Sequence, residues 1–363
     1  MSESAKLVPE TAPGSEPVPD VPHEPKATTA ELLKVEPRGW WVEGSAIDRL
    51  DKALSLSVFT LELGYTAELL LTAPGIWFGL PVPAFIMSNL LTWYSFLAHE
   101  AHEDMKWLAH LLNIDHDPDH VVLQTFKQVG IASPASLQFL AGSLIFIAIW
   151  GVIFYRYLLT GHVEKAYLIN KHLMFPSLLL PVIFGKYFSP RGYKAATFFI
   201  CSWFVAQSVS SGLKTVFSRI RPTVAPSTAE KVGRVNRAFP SYRTMLSLGE
   251  SVFESFPSGD SVGAACFSCV LFILRAPTWT VWICVLTAFC RMYFHAHHLL
   301  DVAAGLSVGW GVTLTLNYLF GIEYFDVMHT VFITVAFIVF IIRLQKLKPA
   351  LPEHLKVKGR KGF

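Results

Sequence analysis

Residues 195–213 read AATFFICSWFVAQSVSSGL, and the chain runs directly on into KTVFSRIRP at 214–222. The first stretch has no charged residue. As a helix rising about 1.5 Å per residue it would span roughly 28 Å, close to the ~30 Å hydrocarbon core of a bilayer. The second stretch carries Lys214, Arg219 and Arg221. A membrane-spanning helix that ends in a cluster of cations is the simplest reading.

The rest of the chain agrees. Of 363 residues, 52% are hydrophobic and 16% charged, and the mean hydropathy is +0.43. A soluble globular chain carries about 25% charged residues. The composition therefore predicts an all-α, polytopic transmembrane helical bundle and disfavours a soluble enzyme, a disordered protein or a disulfide scaffold. Apolar runs near spanning length fall at 76–98, 137–159, 172–188, 195–213, 257–275, 278–294, 300–320 and 326–343. That gives about eight spans, with both termini on one side. The run at 172–188 is interrupted by Pro176 and Pro181.

Residues 1–38 hold seven prolines among acidic residues and cannot bury enough apolar area to offset ordering, so they read as disordered. Trp40-Trp41 reads as arrival at the membrane interface, and 53–73 as an interfacial helix. The expected division is a disordered or interfacial tail at 1–50, an N-terminal membrane region at 51–171, a site-bearing membrane domain at 172–345 and a basic tail at 346–363. Cys201, Cys266, Cys269, Cys284 and Cys290 lie in apolar stretches and read as packing residues, with no further ligands nearby for zinc. A formal net charge of +3 is too small to suggest a nucleic-acid partner. Nothing in the sequence fixes the oligomeric state.

Three short stretches converge on one membrane face in this topology. Lys214 to Arg221-Pro222 ends one span. Pro257-Ser258-Gly259-Asp260 opens the next. Arg291, His297 and Asp301 lie between two more. Lys214, Arg221 and Arg291 supply permanent cations suited to a tetrahedral oxyanion, above all phosphate. Ser258-Gly259 opens a helix, where unpaired N–H groups favour an anion. His297 and Asp301 are four apart, so the carboxylate can fix the imidazole tautomer and leave the other nitrogen free as a nucleophile. Singly, each element has a plainer reading: interface anchors, helix N-caps, one helical ion pair. In this order and spacing they read as a phosphoryl-transfer site needing no metal or cofactor.

These stretches resemble the type 2 phosphatidic acid phosphatase superfamily, whose pattern is Lys, six residues, Arg-Pro; Pro-Ser-Gly-His; and Ser-Arg, five residues, His, three residues, Asp. The resemblance covers about 172–320; a sphingosine-1-phosphate phosphatase-like branch is one form of it. It implies a helical bundle with an interfacial site that hydrolyses a phosphomonoester or pyrophosphate lipid. Lys214, Arg221, Ser258, Gly259 and Arg291 would bind phosphate, His297 would form a phosphohistidine, and Asp301 would orient it. The chain departs twice. Cys290 replaces the Ser before Arg291. Asp260 replaces the motif-two His that protonates the leaving oxygen. An aspartate is ordinarily ionised at neutral pH, so Asp260 is a handicapped acid, for which His295 and His298 are the candidate stand-ins. A catalytically weak or inactive phosphate-lipid-binding protein of the same fold is the alternative this raises.

A different alternative rests on the 13 His residues. His99, His102, His116, His120, His295, His297 and His298 suggest the His boxes of a membrane di-iron hydroxylase. The two groups fall on opposite faces in this topology, and an acidic, His-rich interfacial loop reads 99–120 better. Orientation is two-sided. Lys/Arg bias in 214–256 and in the tail places the site in the cytosol; the resemblance implies the luminal side. The closing Arg360-Lys361-Gly362-Phe363 loosely resembles a dibasic retrieval signal for the endoplasmic reticulum.

Overall fold

The structure is a computed structural model; it describes residues 39–59, 61, 87–92, 94–95, 121, 124–125, 144, 148, 189–222 and 253–348. Every regular element among them is helical. Six α-helices are denoted α1 (Ala46–Phe59), α2 (Pro190–Phe217), α3 (Gly259–Ile273), α4 (Trp282–Tyr293), α5 (Leu299–Phe320) and α6 (Val327–Leu347).

Helix α2 begins at a cap that its own sequence supplies. Ser189 Oγ accepts from Gly192 N at 2.9 Å, and Pro190 occupies the first turn, where its missing N–H costs nothing. It ends at Ser218, whose φ of 46° is left-handed and turns the chain sharply. Phe198, Phe199, Ile200 and Phe204 of α2 are buried in one core with residues of α3. From Asp260 to Leu271, every residue of α3 is buried, as expected of a helix that is apolar all round. Helix α5 closes tightly on α3. A Cβ at Gly305 would lie 2.6 Å from Ser258 O, and one at Gly309 would lie 2.5 Å from Val262 O.

Helix α6 packs outside α2, with Phe337 on Phe204 (centroids 4.9 Å apart). Met328, Phe332, Val335, Val339 and Ile342 of α6 are exposed. Such a stripe belongs in lipid. The α5–α6 turn is tied to the start of α2: Lys194 Nζ donates to Glu323 O at 2.8 Å and Val327 N to Tyr193 Oη at 2.8 Å. The two ends of α2 therefore mark two faces of the bundle. The end of α2, the start of α3, the end of α4, the start of α5 and the end of α6 share the other face.

Among the described residues, α2, α5 and α6 are long and apolar enough to cross a membrane. The runs expected at 257–275 and 278–294 form shorter helices. Helices of 15 and 12 residues reach about 22 Å and 18 Å. Arg275, at a φ of 59°, and Pro277 end α3. A 3₁₀ turn at Thr278–Val281 then takes up the first residues of the next run. The run at 172–188, and most of 76–98 and 137–159, lie outside the described residues, as do 1–38, the loop 99–120 and 349–363. Among the described residues, three of the expected eight spans are supported, at α2, α5 and α6.

The helix expected over 53–73 starts earlier, at Ala46, and crosses the 50/51 boundary drawn from composition; residues 62–73 lie outside the described set. Its buried positions are Asp48, Asp51, Ser55 and Phe59, while Ile47, Leu50 and Leu54 are exposed. Polar groups thus face the bundle and apolar groups face outward. Trp41 is not a simple interface anchor: its ring lies 3.8 Å from the Arg219 guanidinium carbon. Trp40 is 79% exposed, as an anchor would be. All five cysteines are buried and free.

Candidate active site

The site is assembled from helix ends. The left-handed turn at Ser218 carries the chain off α2 so that Arg219 and Arg221, both buried, reach under the start of α5. Arg221 Nη1 lies 3.2 Å from Ala296 O and 2.9 Å from His297 Nε2. His297 Nδ1 lies 2.8 Å from the backbone O of Ser255. A carbonyl only accepts and a guanidinium only donates. The proton is therefore on Nδ1, and Nε2 presents its lone pair to the cations.

Burial drives His297 well below the ordinary histidine range. The Arg221 and Arg291 charges push the same way, and Asp301 opposes them. The imidazole is neutral at pH 7, the state a nucleophile needs.

Asp301 does not orient His297 through a direct hydrogen bond; Oδ2 is 3.7 Å from Nδ1. It works through its neighbours. Ser255 Oγ donates a short hydrogen bond to Asp301 Oδ2, and His298 N donates to the same oxygen at 2.8 Å. Ser258 N donates to Asp301 O at 2.9 Å. One residue thus fixes the loop that holds the His297 ring and the start of α3.

The phosphate-binding candidates come together. Ser258 is the N-cap of α3 and accepts from Ser261 N at 3.4 Å, so the capping reading of this residue holds. A Cβ at Gly259 would lie 3.6 Å from Lys214 Nζ, which places that ammonium against the first turn of α3. Gln207 Nε2 holds Gly259 O at 2.9 Å. Arg291, at the end of α4, is buried and pairs with Asp260 Oδ2 at 3.0 Å. Asp260 therefore partly neutralises a candidate phosphate-binding cation.

Both flanking histidines are buried. His295 stacks on Phe59 with ring centroids 4.1 Å apart. Burial brings His298 down to about 4, with the Asp301 charge opposing and Arg219 assisting. It therefore holds no acidic proton at neutral pH. Among the described residues, His295, His297 and His298 included, no group of three His, Cys, Asp or Glu side chains could hold a metal ion. His99 to His120 lie outside them.

Sequence reasoning missed several members. Glu254 contacts Lys348, just past the end of α6. Burial pushes the Glu254 carboxyl up, but the Lys214 and Lys348 charges outweigh this and hold it below its usual range. Ser255 contributes a backbone oxygen, which no motif encodes. Arg219 stood only among the counted cations, yet it pairs with Asp301 at 2.7 Å, Asp51 at 2.6 Å and Asp48 at 3.2 Å. A signal was available: Asp48, Asp51 and Ser55 fall on one face of a helix, and polar residues turned inward need partners.

Residues 195–324 match the family model of the PAP2 superfamily. All eight candidate residues fall inside that stretch; α1 and the residues before it fall outside. No curated protein and no solved structure matched the chain.

Proposed function

We propose that the PAP2 superfamily domain carried by residues 195–324 is a membrane phosphatase that hydrolyses a phosphomonoester or pyrophosphate lipid through a phosphohistidine. The observation that carries this is the state of His297: neutral, with Nδ1 tied to Ser255 O and Nε2 turned to the Arg221 guanidinium. A substrate phosphate takes over the Arg221 donor and lies among Lys214, Arg221, Arg291 and the N–H groups opening α3. Nε2 attacks phosphorus as the ester or anhydride oxygen leaves, taking its proton from water. Water then attacks the phosphohistidine, releasing inorganic phosphate and restoring neutral His297. The reading uses no metal or cofactor. The apolar outer faces of α5 and α6 support an integral membrane protein with a lipid substrate. Sphingoid-base phosphate, phosphatidic acid, lysophosphatidate and polyprenyl pyrophosphate all present the same head group. An internal membrane, the endoplasmic reticulum, is the proposed location.

The Asp260–Arg291 ion pair favours a second reading, a phosphate-lipid-binding protein with slow or no turnover. One experiment separates the two: phosphate release from a lipid-phosphate panel by wild type, His297→Ala and Asp260→His. Hydrolysis by wild type that His297→Ala abolishes, with the fold intact, supports the enzyme. Wild-type-like release by His297→Ala rules out the mechanism. Binding without release by wild type selects the second reading.

A further inference from the structure

The segment 39–59 lies outside the family match, yet it is built into the site. Its backbone closes the end of α2: Trp40 N donates to Val216 O at 3.0 Å and Trp41 N to Phe217 O at 3.3 Å. These carbonyls sit at a helix end, where the helix itself supplies no donors. Gly39 allows the approach, because a Cβ there would lie 2.4 Å from Val216 O. The Trp41 ring covers Arg219, and its Nε1 donates to Asp48 Oδ1 at 3.1 Å. Helix α1 then caps α5. Leu299 N donates to Ser55 Oγ at 2.8 Å and Leu300 N to Asp51 Oδ1 at 2.9 Å. The residue that follows is Asp301.

Arg219 joins the two halves. It is fully buried, with Nη2 on Asp48 and Asp51 and Nη1 on Asp301 Oδ1. A buried guanidinium would be costly with one partner and is held by three carboxylates here. Lys52 Nζ sits 2.7 Å from Asp48 and 2.5 Å from Glu43, which offsets part of the negative charge.

We propose that Asp48, Asp51 and Arg219 are positioning residues for the reaction: the N-terminal helix clamps Arg219, and Arg219 fixes Asp301 and, through Ser255, the His297 ring. The inference rests on the hydrolase reading for its kinetic consequences but not for the clamp itself. The charged groups facing His297 are Arg221 from the exit of α2, Arg291 of α4 and Asp301 of α5; Asp260 stands behind Arg291 and Arg219 behind Asp301. Removing the Arg219 charge leaves Asp301 uncompensated beside the imidazole. The protonated ring is then favoured and its titration moves to higher pH.

The test uses the full chain in detergent micelles, with phosphate release from a short-chain phosphatidic acid, inhibition by inorganic phosphate, and the His297 titration followed by NMR of labelled histidine. Asp51→Asn keeps the Oδ1 acceptor for Leu300 N–H and replaces the Oδ2 acceptor of Arg219 with an NH2 donor, which breaks the clamp. It is expected to lower kcat by about 10²-fold, the cost of misplacing reacting groups by an ångström, with inhibition by phosphate unchanged. Arg219→Gln is expected to move the His297 titration and the acid limb of the rate profile upward, and Arg219→Lys to recover part of kcat. Folded variants with wild-type kcat and an unmoved titration overturn the proposal. So does a loss of kcat that only tracks a loss of thermal stability, with the titration unmoved. If Arg219→Gln fails to fold, Asp51→Asn and Arg219→Lys decide on the same readouts. An inert wild type whose His297 titration still shifts in the Arg219 variants would overturn the hydrolase reading and leave the clamp standing.

Discussion

His297 sits between a carbonyl that takes its proton and a guanidinium that needs its lone pair. Its buried, cation-flanked position lowers the ring below the ordinary value near 6.5. The sign of the pH dependence follows. Protonation removes the nucleophile, and it occurs only below the depressed value. So kcat/KM, corrected for ionisation of the substrate phosphate, is expected to hold level from pH 8 down through 6.5 and to fall further down. An acid limb centred at 6.5 or above would contradict the buried, neutral ring. Asp260 gives a second residue-scale prediction. Its pairing with Arg291 withdraws a cation from the site. Asp260→His is expected to raise turnover on lipid monophosphates more than on pyrophosphates, whose leaving group needs less protonation. General acid catalysis contributes about 10²–10⁴-fold, which bounds the gain. Equal or lower rates on both substrates would give Asp260 another role. The cations and His297 were legible in sequence because motif spacing alone brings them together. Ser255 was not, since its contribution is a backbone oxygen. The reach of Arg219 across to α1 was not, since its partners lie about 170 residues away in sequence.

At the scale of elements, the α3–α5 contact sets the width of the proposed phosphate cradle. Gly305 lies against the carbonyl of Ser258, the cap residue of α3. A methyl group there meets backbone rather than a flexible side chain, so the helices must part. Overpacking of this kind costs about 1–3 kcal/mol. Gly305→Ala is therefore expected to lower the melting temperature and weaken inhibition by phosphate together. Gly311→Ala, where no atom lies within 4 Å of the added carbon, is expected to leave both unchanged. Equal behaviour of the two variants would show that the cradle does not depend on this contact. Helix existence was readable from the apolar runs, but helix length was not. Arg275 and Pro277 cut short what composition presents as one continuous band of spans, because hydropathy averages over turns that φ preferences break. The true start of helix α1 and its polar inward face were missed for the opposite reason. Its apolar face is turned outward, so the inward stripe of Asp48, Asp51 and Ser55 could be recognised only by asking where buried carboxylates find their cations.

At the scale of the molecule, charge and topology bear on which compartment the site faces. The α5–α6 turn is bound to the start of α2, and Lys348 past the end of α6 meets Glu254 beside Lys214. The chain therefore leaves α6 on the face that holds the site, and one accessibility measurement reports on both. The sequence beyond Lys348 carries Lys356, Lys358, Arg360 and Lys361 against Glu353. Such a bias marks the cytoplasmic side. Three cations of the site face, Lys214, Arg221 and Arg291, are held there by chemistry and carry no weight in this argument. The tail's cations have no such duty and do. We therefore expect a cytosolic tail and a cytosolic site, against the luminal side that resemblance alone implies. A C-terminal epitope in sealed microsomes should be removed by protease without detergent. An epitope that survives until detergent is added would place the tail, and with it the site, in the lumen.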